Sequence, residues 1–537
     1  MLLLLACAQP DDDVKTPADD TGEPTPSDDT GTAPDPWADA KDAVGRAARQ
    51  DLRGAGATGA SVAVWVDGEV VYAEGFGTKH PDTDEAVTTS TLFQIGSDTK
   101  KIAAIAALQQ VERGALTLGS TVADVVPELV FASDPGLAGE LTLHELLSHQ
   151  SGLFDYTPWV EAPDDADLYD RAVGRFAENE YAPGTSGLYW SYCNPNFSLA
   201  GLLTERVDGR AWPDVVEQDV FAPLGMTRTL ARRSAVEADG DHAIGYGIGL
   251  PDGYDTFDPF ADLEYTYGTV EIEGTYDAGF TRPAGLVWST ATDMAILAGF
   301  LVDGDEAVLS DELLAEVTTP QVAMYPATDA ADFGYGYGLM VNSFGWSGYE
   351  GYHAGVPLWA HGGNTMTMTS TFYVLPEQRV AVAILSNGYA DDFTGTAVTA
   401  LEAFADLPAV GTADTFLNEA GTGEALAGTW HDPNVVGTLT LTWDGERLVA
   451  DAPDLDARGL DVGEAVEPYF EDLYLLTIDG YDRDLNHYRA DDGSEWLVNR
   501  QFAWKRVDGN VAARMAPART PRLLPPAPDV RRRAFGL

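Results

Sequence analysis

Phe93-Gln94-Ile95-Gly96-Ser97-Asp98-Thr99-Lys100 is the stretch on which the reading of the whole chain turns. A short apolar strand runs into a small-residue turn, a serine follows, and a lysine comes three residues later. Behind them residues 101–108 form an alanine-rich run with helical character. If Ser97 opens that helix, Lys100 lies on the same face about one turn on. A serine hydroxyl is a poor nucleophile at neutral pH and needs a base within hydrogen-bond reach. Burial beside the positive end of a helix lowers a lysine's pKa and lets it accept a proton. Serine is also a common helix N-cap, so the tetrad alone does not decide. Lysine is scarce, however, occurring only at residues 15, 41, 79, 100, 101 and 505.

At 537 residues the chain is long enough for two domains with tails. A hydrophobic fraction of 45% supports a sizeable core. The net charge of −55 disfavours nucleic acid and anionic membrane as partners. Residues 10–36 hold nine acidic residues and one lysine, so most of the excess lies on the folded part. Two cysteines, Cys7 and Cys193, are too far apart in context to suggest a disulfide. No zinc spacing exists and the histidines are scattered, so neither a metal nor a cofactor is expected.

Outward from the serine, the chain divides into five parts. Residues 1–7 end in Leu5-Ala6-Cys7, which resembles the end of a bacterial lipoprotein signal, with Cys7 as the lipid attachment site. The basic n-region of such signals is missing. Residues 8–36 read as an acidic, Pro- and Thr-rich tether. Residues 37–407 form the main domain. An amphipathic helix is expected over 37–53, then two strands flanking Asp67-Gly68 as a hairpin. The Ser97 helix ends near Gly114, and a short helix precedes Gly152. A helix over 197–207 follows the Tyr192-Cys193-Asn194 turn. Residues 240–280 are expected to be long loops, and residues 285–301 one helix. Strands at 371–375 and 380–385 and a helix over 397–407 close the domain. The order of strands, helices and strands implies an α+β fold with terminal helices covering one sheet. Residues 408–507 read as a small all-β domain, with strands over 437–443, 447–450, 473–478, 486–489 and 495–500. Residues 508–537 are a Pro- and Arg-containing tail expected to be disordered.

Three stations now line up: Ser97-x-x-Lys100, Tyr192-x-Asn194 and His361-Gly362-Gly363. Their order and separation resemble the serine β-lactamase and penicillin-binding protein superfamily, in its class C-like branch. Phe93 to Ser97, Leu146 to Leu153, Pro223 to Met226, Pro283 to Val287 and Ala383 to Asn387 resemble the same family. The resemblance covers about residues 40–405. It implies a class C β-lactamase-like domain and two-step acyl transfer from Ser97. Lys100 is then the base, or holds Tyr192 as the phenolate that acts as base; the sequence leaves both open. Tyr192 passes the proton to the leaving group. Asn194 binds the acyl side chain's amide and orients Lys100. The backbone N–H groups of Ser97 and Asn364 form the oxyanion hole beside Gly363. His361 stands where the family carries a lysine, and is expected to offer partial positive charge or a hydrogen bond.

Two departures narrow the function. Gly362 replaces the hydroxyl residue with which β-lactamases and carboxypeptidases bind a substrate carboxylate. Residues 365–368 lack the family's Pro-Gly-aromatic turn. Ester or amide hydrolysis therefore stands ahead of antibiotic resistance. The alternatives are a cell-envelope D-Ala-D-Ala carboxypeptidase, a D-aminopeptidase or a β-lactamase. From another class comes a catalytically silent protein binding peptidoglycan or a partner. No Gly-x-Ser-x-Gly elbow occurs, which disfavours an α/β-hydrolase. The expected partner is a small-molecule or peptide substrate, including peptidoglycan-derived ones. Contact with a membrane is expected only through the lipid anchor, at the bacterial cell envelope or periplasm. Cys193 is expected to be a buried small residue, His149 to cap or pack locally, and Arg282 to sit in a surface ion pair ahead of the alternative that it lines the site.

Overall fold

Val62, Val64 and Val66 alternate with Ala63 and Trp65 in a run free of proline, and this run is a strand of the main sheet paired on both sides, one place in from its edge. The computed structural model describes residues 35–184, 186–261, 263–331, 333–342, 353, 355–410 and 421–507. In chain order the first strands are β1 Gly59–Val66, β2 Glu69–Gly77, β3 Phe93–Gln94, β4 Gly245–Gly249, β5 Thr266–Val270 and β6 Trp288–Ser289. They are followed by β7 Val322–Ala323, β8 Phe333–Tyr335, β9 Met340–Asn342, β10 Leu358–Asn364, β11 Thr369–Leu375 and β12 Val380–Ser386. Eight of these form one antiparallel sheet in the order β2-β1-β12-β11-β10-β9-β8-β7.

Both faces of that sheet are covered, which is why β12 is apolar at nearly every position. Val62, Val64, Val382 and Ile384 pack under the helices Ala38–Gly54 and Thr394–Phe404. Ala63, Trp65, Ala383 and Leu385 join the larger core on the other side, with Leu297 and Leu301 of the Ala291–Asp303 helix. The Thr99–Glu112 helix is buried from Thr99 through Gln110 and packs against the helices Asn194–Asp208 and Arg282–Gly285. Fully burying Ile102, Ile105 and Leu108 contributes about 1.5–3 kcal/mol each. The helix that carries Lys100 is therefore a rigid support.

The hairpin around Asp67-Gly68 and the terminal helices form where the sequence places them. Three expectations are corrected. Ser97 does not open the α-helix: it lies in a 3-10 turn, Gly96–Asp98, and the helix begins at Thr99. Residues 240–280 are not only loops, because the glycine-rich β4 pairs with β5. Residues 285–301 are not one helix. Trp288 and Ser289 pair with β3, and the Thr290 hydroxyl, accepting the Asp293 N–H at 3.1 Å, caps a separate helix.

The last eight strands are β13 Gly428–Asp432, β14 Gly437–Trp443, β15 Leu448–Asp451, β16 Val462–Phe470, β17 Leu473–Ile478, β18 Tyr481–Arg489, β19 Glu495–Asn499 and β20 Phe502–Val507. They close into a barrel, β20 pairing back onto β13. Closure removes free strand edges. Trp430 and Trp504 are fully buried, and their indole N–H groups donate to the carbonyls of Leu426 and Gly437 at 2.9 and 3.0 Å. The barrel docks on the main domain through Trp496, Val498 and Ala503 against Tyr189, and through Arg458 paired with Asp258 at 2.6 and 2.7 Å. Cys7 with its signal-like stretch, the tether apart from its last residues, and the 508–537 tail lie outside the described residues.

Candidate active site

Ser97 owes its position to Gly96. That residue has φ 53°, where a side chain is strained, and a Cβ on it would stand 2.6 Å from Asn364 N and 2.8 Å from Gly363 Cα. The turn thus lies directly against the end of β10. Gly363 makes the same approach from the other side, since a Cβ there would collide with the Ile95 carbonyl. The two glycines bring the Asn364 backbone amide beside the Ser97 turn.

The turn is also anchored from below. Asp98 and Lys101 are fully buried and form an ion pair, and the Ser370 hydroxyl of β11 donates to Asp98 Oδ2 at 2.5 Å. Burial pushes the Asp98 carboxyl up and the Lys101 ammonium down, and each opposes the other's shift. Sequence reasoning missed this network. Its signal is the unusual Lys100-Lys101 pair three residues after Ser97-Asp98, but the third member comes from a distant strand.

Lys100 is fully buried, with Nζ 3.0 Å from Ser97 Oγ, 2.7 Å from Asn194 Oδ1 and 2.7 Å from the Ala284 carbonyl. Burial, against the pull of Asp155, holds its pKa well below that of an ordinary lysine. The Asn194 and Ala284 oxygens are acceptors only. A neutral Lys100 can satisfy both with its two N–H bonds, which leaves the lone pair for Ser97.

The Ser97 side chain lies close enough to the Tyr192 hydroxyl to favour its charged form. Burial pushes the pKa of Tyr192 up, with Arg500 and Ser97 acting in the opposite sense, so it is a phenol at neutral pH. Its ring lies 4.4 Å from that of His149, 4.8 Å from Lys100 Nζ and 4.7 Å from the Arg500 guanidinium. His149 is buried and neutral, and its Nδ1 accepts the Cys193 N–H at 3.1 Å. Cys193 is a free, buried thiol whose pKa burial pushes up.

Asn194 opens the helix that ends at Asp208. Its N–H donates to Asp155 Oδ1 at 2.7 Å and its Nδ2 to Thr157 Oγ1 at 2.8 Å, which fixes the amide so that Oδ1 faces Lys100.

His361 is brought to the site but is not charged. Burial, then the charges of Lys101 and Lys100, hold its pKa well below the usual imidazole value. Its ring bonds the Gly362 carbonyl through Nδ1 at 2.7 Å and the Tyr335 hydroxyl through Nε2 at 3.2 Å. Of the two expectations for His361, a partial positive charge or a hydrogen bond, burial disfavours the charge. Arg282 is not at the surface either. It is buried against Asp277 at 2.7 and 2.8 Å and also pairs with Asp165. Its short helix presents the Ala284 carbonyl to Lys100. Among the described residues no cluster of His, Cys, Asp and Glu could hold a metal ion.

A buried lysine with a half-buried serine, tyrosine and asparagine around it, beside a backbone amide at a strand end, can perform acyl transfer. The beta-lactamase family profile matches residues 44–406, and the chain belongs to that family, whose members are serine hydrolases that work through an acyl-enzyme. Penicillin-binding protein 4 of Amycolatopsis lactamdurans is 29% identical over 338 residues, spanning 62% of this chain and 81% of that protein. A D-aminopeptidase of Cereibacter sphaeroides strain KD131 is 27% identical over 451 residues, 81% of this chain and 72% of that one. A solved class C beta-lactamase shares the fold, with TM-score 0.53 at 17% identity over 69% of this chain and 98% of that one.

Proposed function

We propose that the chain hydrolyses an ester or amide of a small-molecule or peptide substrate through an acyl-enzyme on Ser97. The observation that carries this reading is the contact of the fully buried Lys100 Nζ with Ser97 Oγ at 3.0 Å, where burial disfavours the ammonium form.

Burial disfavours the charged forms of both neighbours of the serine. Lys100 is accordingly the base and Tyr192 the acid. The Ser97 proton passes to Lys100 as Oγ bonds the substrate carbonyl carbon. The backbone N–H groups of Ser97 and Asn364 hold the resulting oxyanion. Tyr192 protonates the leaving group as its bond to carbon breaks, and is reprotonated from Lys100. Water then repeats the sequence on the acyl-enzyme and frees Ser97. Asn194 receives the acyl side chain. Gly362 offers no hydroxyl for a carboxylate, which favours substrates without a free carboxyl at that end.

D-aminopeptidase activity is the second reading. It is favoured by the Cereibacter relative, whose match is long enough to take in part of the barrel as well as the catalytic unit. Leu5-Ala6-Cys7 and the acidic tether support a lipid-anchored place at the bacterial envelope, where peptidoglycan fragments are at hand. Loss of palmitate labelling in Cys7→Ser tests that placement.

The activity test compares wild type with Ser97→Ala on p-nitrophenyl butyrate, D-alanine p-nitroanilide and benzylpenicillin. Hydrolysis of the ester, lost in Ser97→Ala, supports the reading. Hydrolysis of the anilide alone moves it to the aminopeptidase, and equal rates in both proteins contradict it.

A further inference from the structure

The barrel reaches the catalytic residues. Arg500 and Gln501 form the two-residue turn between β19 and β20. The Gln501 carbonyl accepts from Tyr181 of the catalytic unit at 3.4 Å, and its N–H donates to Asn499 Oδ1 at 3.1 Å, so the turn is held from both sides. The Arg500 guanidinium lies 4.7 Å from the centre of the Tyr192 ring and 2.5 Å from Asp155 Oδ2. The other oxygen of Asp155 accepts the N–H of Asn194, the residue that orients Lys100. One side chain of the barrel therefore touches the proposed acid directly and the proposed base through two links.

Its charge matters because of what His361 lacks. The ionisable groups facing Tyr192 are Lys100 and Asp98 from the nucleophile turn and its helix, His149 and Asp155 from the segment after the Leu143–Leu147 helix, Tyr335 from β8, His361 from β10, and Arg500. Cys193 and Lys101 act on Lys100 as well. Both histidines are neutral, Tyr335 is a buried phenol, and Asp98 is paired with Lys101. With Lys100 neutral, Asp155 and Arg500 are left to set the field. A cation over an aromatic face stabilises negative charge growing on that ring.

We propose that Arg500 is a positioning residue of the active site, fixing the Tyr192 ring and the Asp155 carboxylate and supplying the positive charge that His361 does not. The inference rests on the acyl-enzyme reading above. Removing the cation raises the pKa of Lys100 and of Tyr192 alike, so the rising limb of the pH profile moves to higher pH whichever of them is the base.

The test is the rate of labelling by a fluorophosphonate as a function of pH. In this step Ser97 Oγ bonds phosphorus, fluoride leaves, and the serine proton passes to the base. Wild type, Ser97→Ala, Arg500→Gln and Arg500→Lys are compared, with melting temperatures recorded for each. Arg500→Gln is expected to label about 10- to 100-fold more slowly, with its limb displaced to higher pH. Arg500→Lys is expected to keep most of the rate and the wild-type limb. Wild-type rate and limb in Arg500→Gln overturn the inference. So does an equal loss in both variants with no movement of the limb, the signature of a merely structural role. Should Arg500→Gln fail to fold, Arg500→Lys decides: a retained rate supports the charge role and a lost rate with an unmoved limb overturns it. No labelling of wild type removes the acyl-enzyme reading and this role with it, whereas labelling that depends on Ser97 and ignores Arg500 removes this inference alone.

Discussion

Lys100 Nζ lies 3.0 Å from Ser97 Oγ, while its remaining partners, Asn194 Oδ1 and the Ala284 carbonyl, sit at 2.7 Å and can only accept. The amine must therefore be neutral to take the serine proton. Lys100→Ala is expected to lower kcat for p-nitrophenyl butyrate by about 10²–10⁴-fold. Lys100→Arg is expected to give no rescue, because a guanidinium stays protonated at every working pH. Steady-state rates of the two variants check this.

The same burial sets a pH dependence. Only deprotonated Lys100 is active, and its pKa lies well below the ordinary lysine value. kcat/KM is expected to rise with pH through that lowered pKa and to level off well before the pH at which a solvated lysine titrates. A rising limb at the ordinary lysine pKa in the measured profile would contradict a buried base.

Gly363 has no room for a side chain, since a Cβ would meet the Ile95 carbonyl. Gly363→Ala is expected to push β10 away from the nucleophile turn and withdraw the Asn364 amide. Losing one oxyanion donor costs about 10²–10³-fold in kcat. Substrate binding depends less on that donor, so KM is expected to change little. Separate kcat and KM measurements check the split.

The Asp98–Lys101 pair is buried beneath the turn. Removing one partner strands the other charge, so Lys101→Met is expected to destabilise the protein by about 3–5 kcal/mol. Adding Asp98→Leu removes the stranded charge and is expected to recover much of the loss. Urea unfolding of the single and double variants measures both.

What the sequence made legible was local. Ser97-x-x-Lys100 works within one helical turn, and Asp67-Gly68 between two β-branched runs needs no distant partner. Three barrel strands, β13, β16 and β20, went unread. In β16 the pairing with β17 shifts register between Val462 and Val466 and again between Pro468 and Phe470, which breaks the period-two pattern. The neutrality of His361 could not be read, because it follows from burial and from lysines elsewhere in the chain. Arg282 reads as a surface cation until Asp165 and Asp277 are seen around it. Asp155 and Arg500 carry no motif: Asp155 is placed by the Asn194 N–H, and only the docking of the barrel brings Arg500 to Tyr192.

The most direct test is the intact-protein mass after incubation with a fluorophosphonate, followed by peptide mapping. One adduct on wild type, mapped to Ser97 and missing from Ser97→Ala, is the expected result. An adduct on Ser97→Ala at the wild-type rate, or one mapped to another residue, would contradict Ser97 as the nucleophile.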